Sequence, residues 1–189
     1  MGPCCRSTLR NGDERNLFYM NNDLQKQLDK LLDAYSHQYD IARDVTVEGG
    51  HFPATATFYL RDENYIVNKK HVLSAVENYD YMYFYLTDHL DADTLQKQID
   101  LVLKVGTERI KPHKEHMSSF VSLVILADTI DEEAKKLIKK TRFQKYYRLA
   151  LHGWMEFHIA ATESSTKTFL SNPAGKGIKK TLEQNLGSR

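Results

Sequence analysis

The sequence predicts an α/β protein of the α+β type, a mixed, mainly antiparallel sheet with helices packed on it in the order α-βββ-α-β-α-ββ-α. Three observations predict it. An apolar period near 3.6 before residue 42 gives way to a period of 2 from Phe52. The helical period returns after Asp93, after Thr129 and after Asn172. Between two of these helices, Phe120-Val121 and Leu123-Val124-Ile125-Leu126 form a run apolar on both faces, as a strand covered on both sides requires.

Asp23 to Ile41 carries Leu24, Leu28, Leu31, Leu32, Tyr35 and Tyr39 at three- and four-residue steps, the pattern of an amphipathic helix. Asn21, Asn22 or Asp23 supplies its capping oxygen, and Gly49-Gly50 breaks the chain after it. From Phe52 to Leu60, Phe52, Ala54, Ala56, Phe58 and Leu60 share one strand face; Pro53, Thr55, Thr57, Tyr59 and Arg61 share the other. Asp62-Glu63-Asn64 turns into a second strand, Tyr65 to Glu77, and Glu77-Asn78 into a third, completing an antiparallel meander. On that third strand Met82, Phe84 and Leu86 are expected in the core, and Tyr79, Tyr81, Tyr83 and Tyr85 as a half-wet row of rings.

Asp93 to Ile110 is the next helix, with Leu95, Ile99, Val102 and Leu103 inward, and Pro112 stops it. Met117 to Ala127 is the central strand. Thr129-Ile130-Asp131-Glu132 reads as a capping box opening a helix with Ala134, Leu137 and Ile138 inward, acids first and lysines last. Phe143 to Thr162 reads as one long strand whose apolar face holds Leu149, Leu151, Gly153, Met155, Phe157, Ile159 and Ala161. A short strand, Lys167 to Leu170, ends at Asn172-Pro173, and Ile178, Leu182 and Leu186 mark a terminal helix.

The chain has 189 residues, 41% of them apolar, with 26 Lys+Arg against 25 Asp+Glu, enough to bury a core in one domain over 20–189. No run approaches the ~18 apolar residues of a membrane span, so no membrane partner is expected. Both cysteines, Cys4 and Cys5, lie in residues 1–19, which lack an apolar period and read as a disordered leader before a start at Met20. The cysteine-free body suits the cytoplasm. Residues 20–110 carry nine basic and fifteen acidic groups, and residues 111–189 fourteen and eight, which reads as two solvated faces of opposite sign.

No motif for a cofactor or for nucleophilic catalysis is present, so no cofactor is expected and enzymatic activity is left open towards no. His113, Glu115 and His116 are the weak candidates for a metal site, one ligand short of a usual zinc set. Glu156 and His158 lie ~7 Å apart on one strand face and could address one ligand, though a polar face interrupted by Trp154 is the reading favoured. Ala174-Gly175-Lys176-Gly177 lacks the spacing and the following hydroxyl of a phosphate loop. Lys139, Lys140, Arg142, Lys145 and Arg148, followed on the chain by no acid until Glu156, are the candidates for nucleic-acid contact. Tyr79, Tyr81, Tyr83 and Tyr85, with Trp154, are the candidates for a partner surface, because tyrosine offers apolar area with a polar tip.

The order helix, three antiparallel strands, helix, strand is similar to the core of the PD-(D/E)XK nuclease superfamily. That family sets an acid and an acid-x-Lys on successive strands to hold Mg²⁺ for phosphodiester hydrolysis. Tyr81-Met82-Tyr83-Phe84-Tyr85 contains no acid-x-Lys, and Asp80, Glu77 and Lys70 do not match the spacing. The resemblance therefore implies topology without the catalytic set. Pro112-His113-Lys114-Glu115-His116-Met117, Gly153-Trp154 and Asn172 to Lys176 resemble landmarks of an uncharacterised family of small bacterial proteins, mostly from Gram-positive hosts. Over Leu24 to Leu186 that resemblance implies a cytoplasmic bacterial domain and brings no activity.

The function expected first is a non-enzymatic domain that binds a protein partner or itself through the tyrosine-rich face. A nucleic-acid-binding, degenerate nuclease-like domain is the second reading, and a metal-dependent hydrolase the third.

Overall fold

In the computed structural model the described residues are 13–65 and 72–187, with side chains placed over 23–61 and 76–187. Helix α1 (Asp13–Tyr35) buries Leu24, Leu28, Leu31 and Leu32 on one stripe. It ends six residues before Ile41, where Ser36, Gln38 and Tyr39 donate their N–H groups back to the last turn. It also begins at Asp13, within the segment read as a leader; residues 1–12, with Cys4 and Cys5, lie outside the described residues.

The residues after α1 form an unexpected strand, β1 (Asp40–Val47), paired antiparallel with β2 (Gly50–Tyr65). Their link is a two-residue hairpin in which Glu48 (φ 53) and Gly49 (φ 77) are both left-handed, the conformation that matches the twist of paired strands. Gly49 is thus a hairpin turn and not merely a break. Phe52 packs against Tyr83 on one side of the sheet while Ala54 and Ala56 face the other. The single apolar face expected for Phe52 to Leu60 is split at Pro53, which lies level with the left-handed Asp44 (φ 53).

The third strand, β3 (Val72–Leu90), is longer than expected and runs without a turn through Glu77-Asn78. The expected second strand, Tyr65 to Glu77, is divided between β2, β3 and residues 66–71, which lie outside the described residues. Helix α2 (Ala92–Arg109) then opens on Asp91, whose carboxylate accepts the Thr94 N–H at 2.6 Å. It leads into β4 (His116–Ile130), parallel to β3. Strand β4 is central and buried on both faces from Val121 to Ala127, as its sequence predicts.

Helix α3 (Glu132–Lys140) follows, with Asp131 at its N-cap making no side-chain cap bond. The expected capping box is absent because Thr129 instead donates to Asp88 O, while Asp131 lies 3.5 Å from His89. The expected strand Phe143 to Thr162 is two strands, β5 (Gln144–Tyr146) and β6 (Trp154–Glu163), folded back antiparallel on each other. Strand β7 (Thr168–Ser171) and helix α4 (Lys176–Leu186) close the described chain.

The sheet order is β1-β2-β3-β4-β6-β5, with β7 beside β6. Among the described strands only the β3/β4 and β4/β6 pairings are parallel, so the sheet is mixed and mainly antiparallel. One layer of core lies under α2 and α3 and includes Tyr83, Leu95, Val102, Leu123 and Phe157. The other lies under α1 and α4 and includes Leu28, Leu32, Phe84, Val124 and Leu182. Gly106 of α2 sits directly on Val121, so a larger residue there would separate helix from sheet.

Candidate functional site

The tyrosine row does not form an open face. Tyr81 and Tyr83 are buried in the layer beneath α2, Tyr79 and Tyr85 are partly covered there, and Arg109 lies 4.3 Å over the Tyr81 ring. Period 2 correctly puts the four rings on one side and Met82 and Phe84 on the other. Both sides are core, because β3 is paired along both edges and a helix layer covers each face.

At the near end of this layer a polar cluster surrounds Glu77, which is buried. Its Oε1 accepts from Arg61 Nη1 at 2.8 Å, and its Oε2 from Tyr79 OH at 2.8 Å, with His113 Nε2 at 3.0 Å. Burial pushes this carboxyl up, but the bonds from Tyr79, Tyr59 and Arg61 and the charge of His113 outweigh it and hold it below its ordinary range. Glu115 pairs with Arg61 at 3.0 Å. His116 Nδ1 must donate to His152 O (2.7 Å), since a carbonyl only accepts, and its Nε2 meets Ser119 Oγ at 2.8 Å. The candidate ligands His113, Glu115 and His116 are therefore neighbours that already bond to protein groups: His113 to Glu77 and the Glu115 N–H, Glu115 to Arg61, and His116 to His152 O and Ser119. Among the described residues no three His, Cys, Asp or Glu groups are placed to hold a metal ion.

Gly153 explains how this cluster is locked. It adopts φ +77, and a Cβ there would lie 2.6 Å from His116 O and 2.7 Å from His116 Nδ1. The two sequence landmarks around His116 and Gly153 thus meet in space. The third, Asn172, is equally structural. Its Oδ1 accepts from Ile159 N and Gly175 N, and its Nδ2 donates to Phe157 O and Thr141 O. A buried amide that fills all four bonds ties β6, the end of α3 and the start of α4 together.

On the opposite side of the sheet, Asp80 is largely buried and accepts from Tyr39 OH (2.9 Å) and Ser122 Oγ (3.1 Å). Burial holds its carboxyl above the ordinary range. His158 lies 3.4 Å from Glu156 and stacks on Phe120 with ring centroids 4.9 Å apart. The pair does come together as its spacing implies, within a hydrogen-bonded sheet face that also holds Trp154.

Among the described residues the most exposed apolar side chains are elsewhere, at the β5–β6 hairpin. Leu149 is 95% exposed and Leu151 76%, although their alternation with Met155 and Phe157 places them in the core of a single strand. The chain reverses instead through Arg148 (φ 47), Leu149 (φ 54) and Ala150 (φ 69), three successive left-handed residues that are not glycine. His152 N–H bonds to Tyr147 O and Gly153 N–H to Ala150 O across the turn. Such a conformation costs L-residues roughly 1–2 kcal/mol each. Phe143 and Tyr146 are also exposed beside it, and Trp154 stands opposite Tyr146 in the ladder, half-covered. Sequence reasoning missed this surface: the segment has no Asn, Asp or Pro, and its one glycine comes at the far end.

The nucleic-acid candidates are all exposed and are spread over the end of α3, the segment that follows it, β5 and the hairpin turn. Lys139 and Lys140 end α3, Arg142 turns back to donate to Lys139 O and Thr141 O, Lys145 lies 5.5 Å from the Tyr147 ring centre, and Arg148 is in the hairpin turn.

Among the described residues no helix is long and apolar enough to cross a membrane. No curated protein matches the chain. A family model described as a domain of unknown function, DUF8052, matches residues 23–184, a span that takes in α1's buried stripe, the whole sheet and nearly all of α4. The chain belongs to the DUF8052 family.

Proposed function

We propose that this chain is a non-enzymatic interaction domain of the bacterial cytoplasm that docks a protein partner through the β5–β6 hairpin. The observation that carries the reading is a strained turn that holds two leucines out in water. Leaving a leucine exposed forgoes about 1.5–3 kcal/mol that burial would return. Three left-handed residues add their own cost. Strain of this kind clusters where binding uses it. Phe143, Tyr146 and Trp154 extend the apolar area, and Arg142, Lys145 and Arg148 are exposed cations on the same hairpin and the residues leading into it. Two copies docking tip to tip would oppose these cations, so the fitting partner has an apolar pocket rimmed by acids.

The test is a photo-crosslinking amino acid placed at 149, at 151 and, as control, at the exposed Lys97 on α2, in cells of the native host. One adduct of defined mass at 149 and 151, missing at 97 and lost when the neighbouring leucine becomes serine, is the expected result. Equal labelling at all three positions, or none at any, overturns the proposal. An adduct of twice the chain mass would assign self-association in its place.

A further inference from the structure

We infer that the outer edge of β7 accepts an extended acidic segment of another protein as an added strand. This surface is separate from the β5–β6 hairpin, which occupies the other half of the same sheet border. Strand β7 pairs only with β6 among the strands described. Asn172 N–H bonds to Ile159 O at 3.1 Å, which sets the phase of the ladder. Leu170 and Thr168 then bond inward, and Phe169 and Ser171 turn their N–H and C=O groups outward.

That edge is the floor of a groove of about 740 Å³ between the end of α3 and α4, within the size range of ligand clefts. Lys139 stands on one wall and Lys176, Lys179 and Lys180 on the other. Among the described residues Glu183 is the one carboxylate lining it, and it lies 3.4 Å from Lys179. Lys139, Lys176 and Lys180 have no ion-pair partner among the described residues. A second depression beyond Phe169 is lined by Lys26, Lys30 and Lys167 against one acid, Asp23, and extends the lysine-rich surface.

Unpaired strand groups are best satisfied by another strand, and a lysine wall selects one that carries carboxylates. A second copy of this chain would bring its own lysines against these. A single-stranded nucleic acid would answer the lysines and leave the outward backbone groups of Phe169 and Ser171 without partners.

The experiment measures fluorescence anisotropy with a labelled peptide of about eight residues alternating Glu and Val. The expected result is saturable binding weakened about tenfold by methylating alternate peptide nitrogens on the pairing edge, and by about the same factor in the Lys176→Glu/Lys180→Glu chain. That variant should gain affinity for the matching Lys-Val peptide, which shows that it is folded. Absence of binding at low salt, indifference to N-methylation, or tighter binding of oligothymidylate than of the acidic peptide overturns the inference. If the lysines serve only to keep strands away, neither peptide binds either chain, and that outcome also overturns it.

Discussion

Single residues carry the landmarks of this sequence, and the reasons are steric and hydrogen-bonded more than chemical. His116 spends both ring nitrogens inside the protein, one on His152 O and one on Ser119. Gly153 is the only residue type that fits the backbone conformation and the space beside that ring. Gly153→Ala should therefore cost about 3 kcal/mol, the left-handed penalty plus overpacking against His116. Urea unfolding would register it as a lower midpoint with unchanged slope, and an unaltered midpoint would mean that Gly153 is not held left-handed against the His116 and Met117 carbonyls. The sequence suggests metal at His113, Glu115 and His116 because spacing reports proximity and says nothing of where lone pairs point. Their committed partners, Glu77, Arg61 and Ser119, come from β2, β3 and β4 and become visible only when those strands are side by side.

Among the elements, those that bury an uninterrupted apolar set are legible in the sequence. Helix α2, the central part of β4 and helix α4 lie close to where their periods place them. Short edge strands are not. Strand β1 has a mostly exposed alternation that its charged residues obscure, and β5 covers only three residues. The hairpin between β5 and β6 is the sharpest failure, since Leu149 and Leu151 keep the phase of a buried strand while the backbone reverses. A turn paid for in strain leaves no compositional mark. It does leave a thermodynamic one: Ala150, at φ 69, should become more stable as glycine by about 1 kcal/mol, because glycine meets no Cβ clash there. Leu149 and Leu151 are untouched in Ala150→Gly, so the docking surface stays while the midpoint rises. A fall in the midpoint would show that the turn is not left-handed in solution.

For the whole molecule, acid response follows from buried carboxylates of opposite tendency on the two sides of the sheet. Glu77 and Glu163 are held below their ordinary range. Burial opposes this in both, while Tyr79, Tyr59, His113 and Arg61 favour the charge at Glu77, and Thr166, the Ile130 N–H and Lys135 favour it at Glu163. Their contribution is complete above the unfolded value of about 4.3 and fades as pH falls through the lower folded values. Asp80 behaves oppositely. Burial raises it against the bonds from Tyr39 and Ser122 and the charge of His158. The fold is therefore relatively favoured below about pH 3.9 and loses that advantage as pH rises through Asp80's higher folded value. Asp80→Asn keeps a carbonyl to accept from Tyr39 and removes the buried charge, so it should raise stability near neutrality by about 1 kcal/mol and leave the acid limb unchanged. Glu77→Gln should do the reverse, lowering stability near neutrality by about 2 kcal/mol and flattening the acid limb. Urea midpoints for the parent and both variants across pH 3 to pH 8, scaled roughly to the carboxylate range, separate the two layers. Parallel curves for all three chains would mean that neither carboxylate is coupled to folding, and that the two faces of this sheet respond to acid as one.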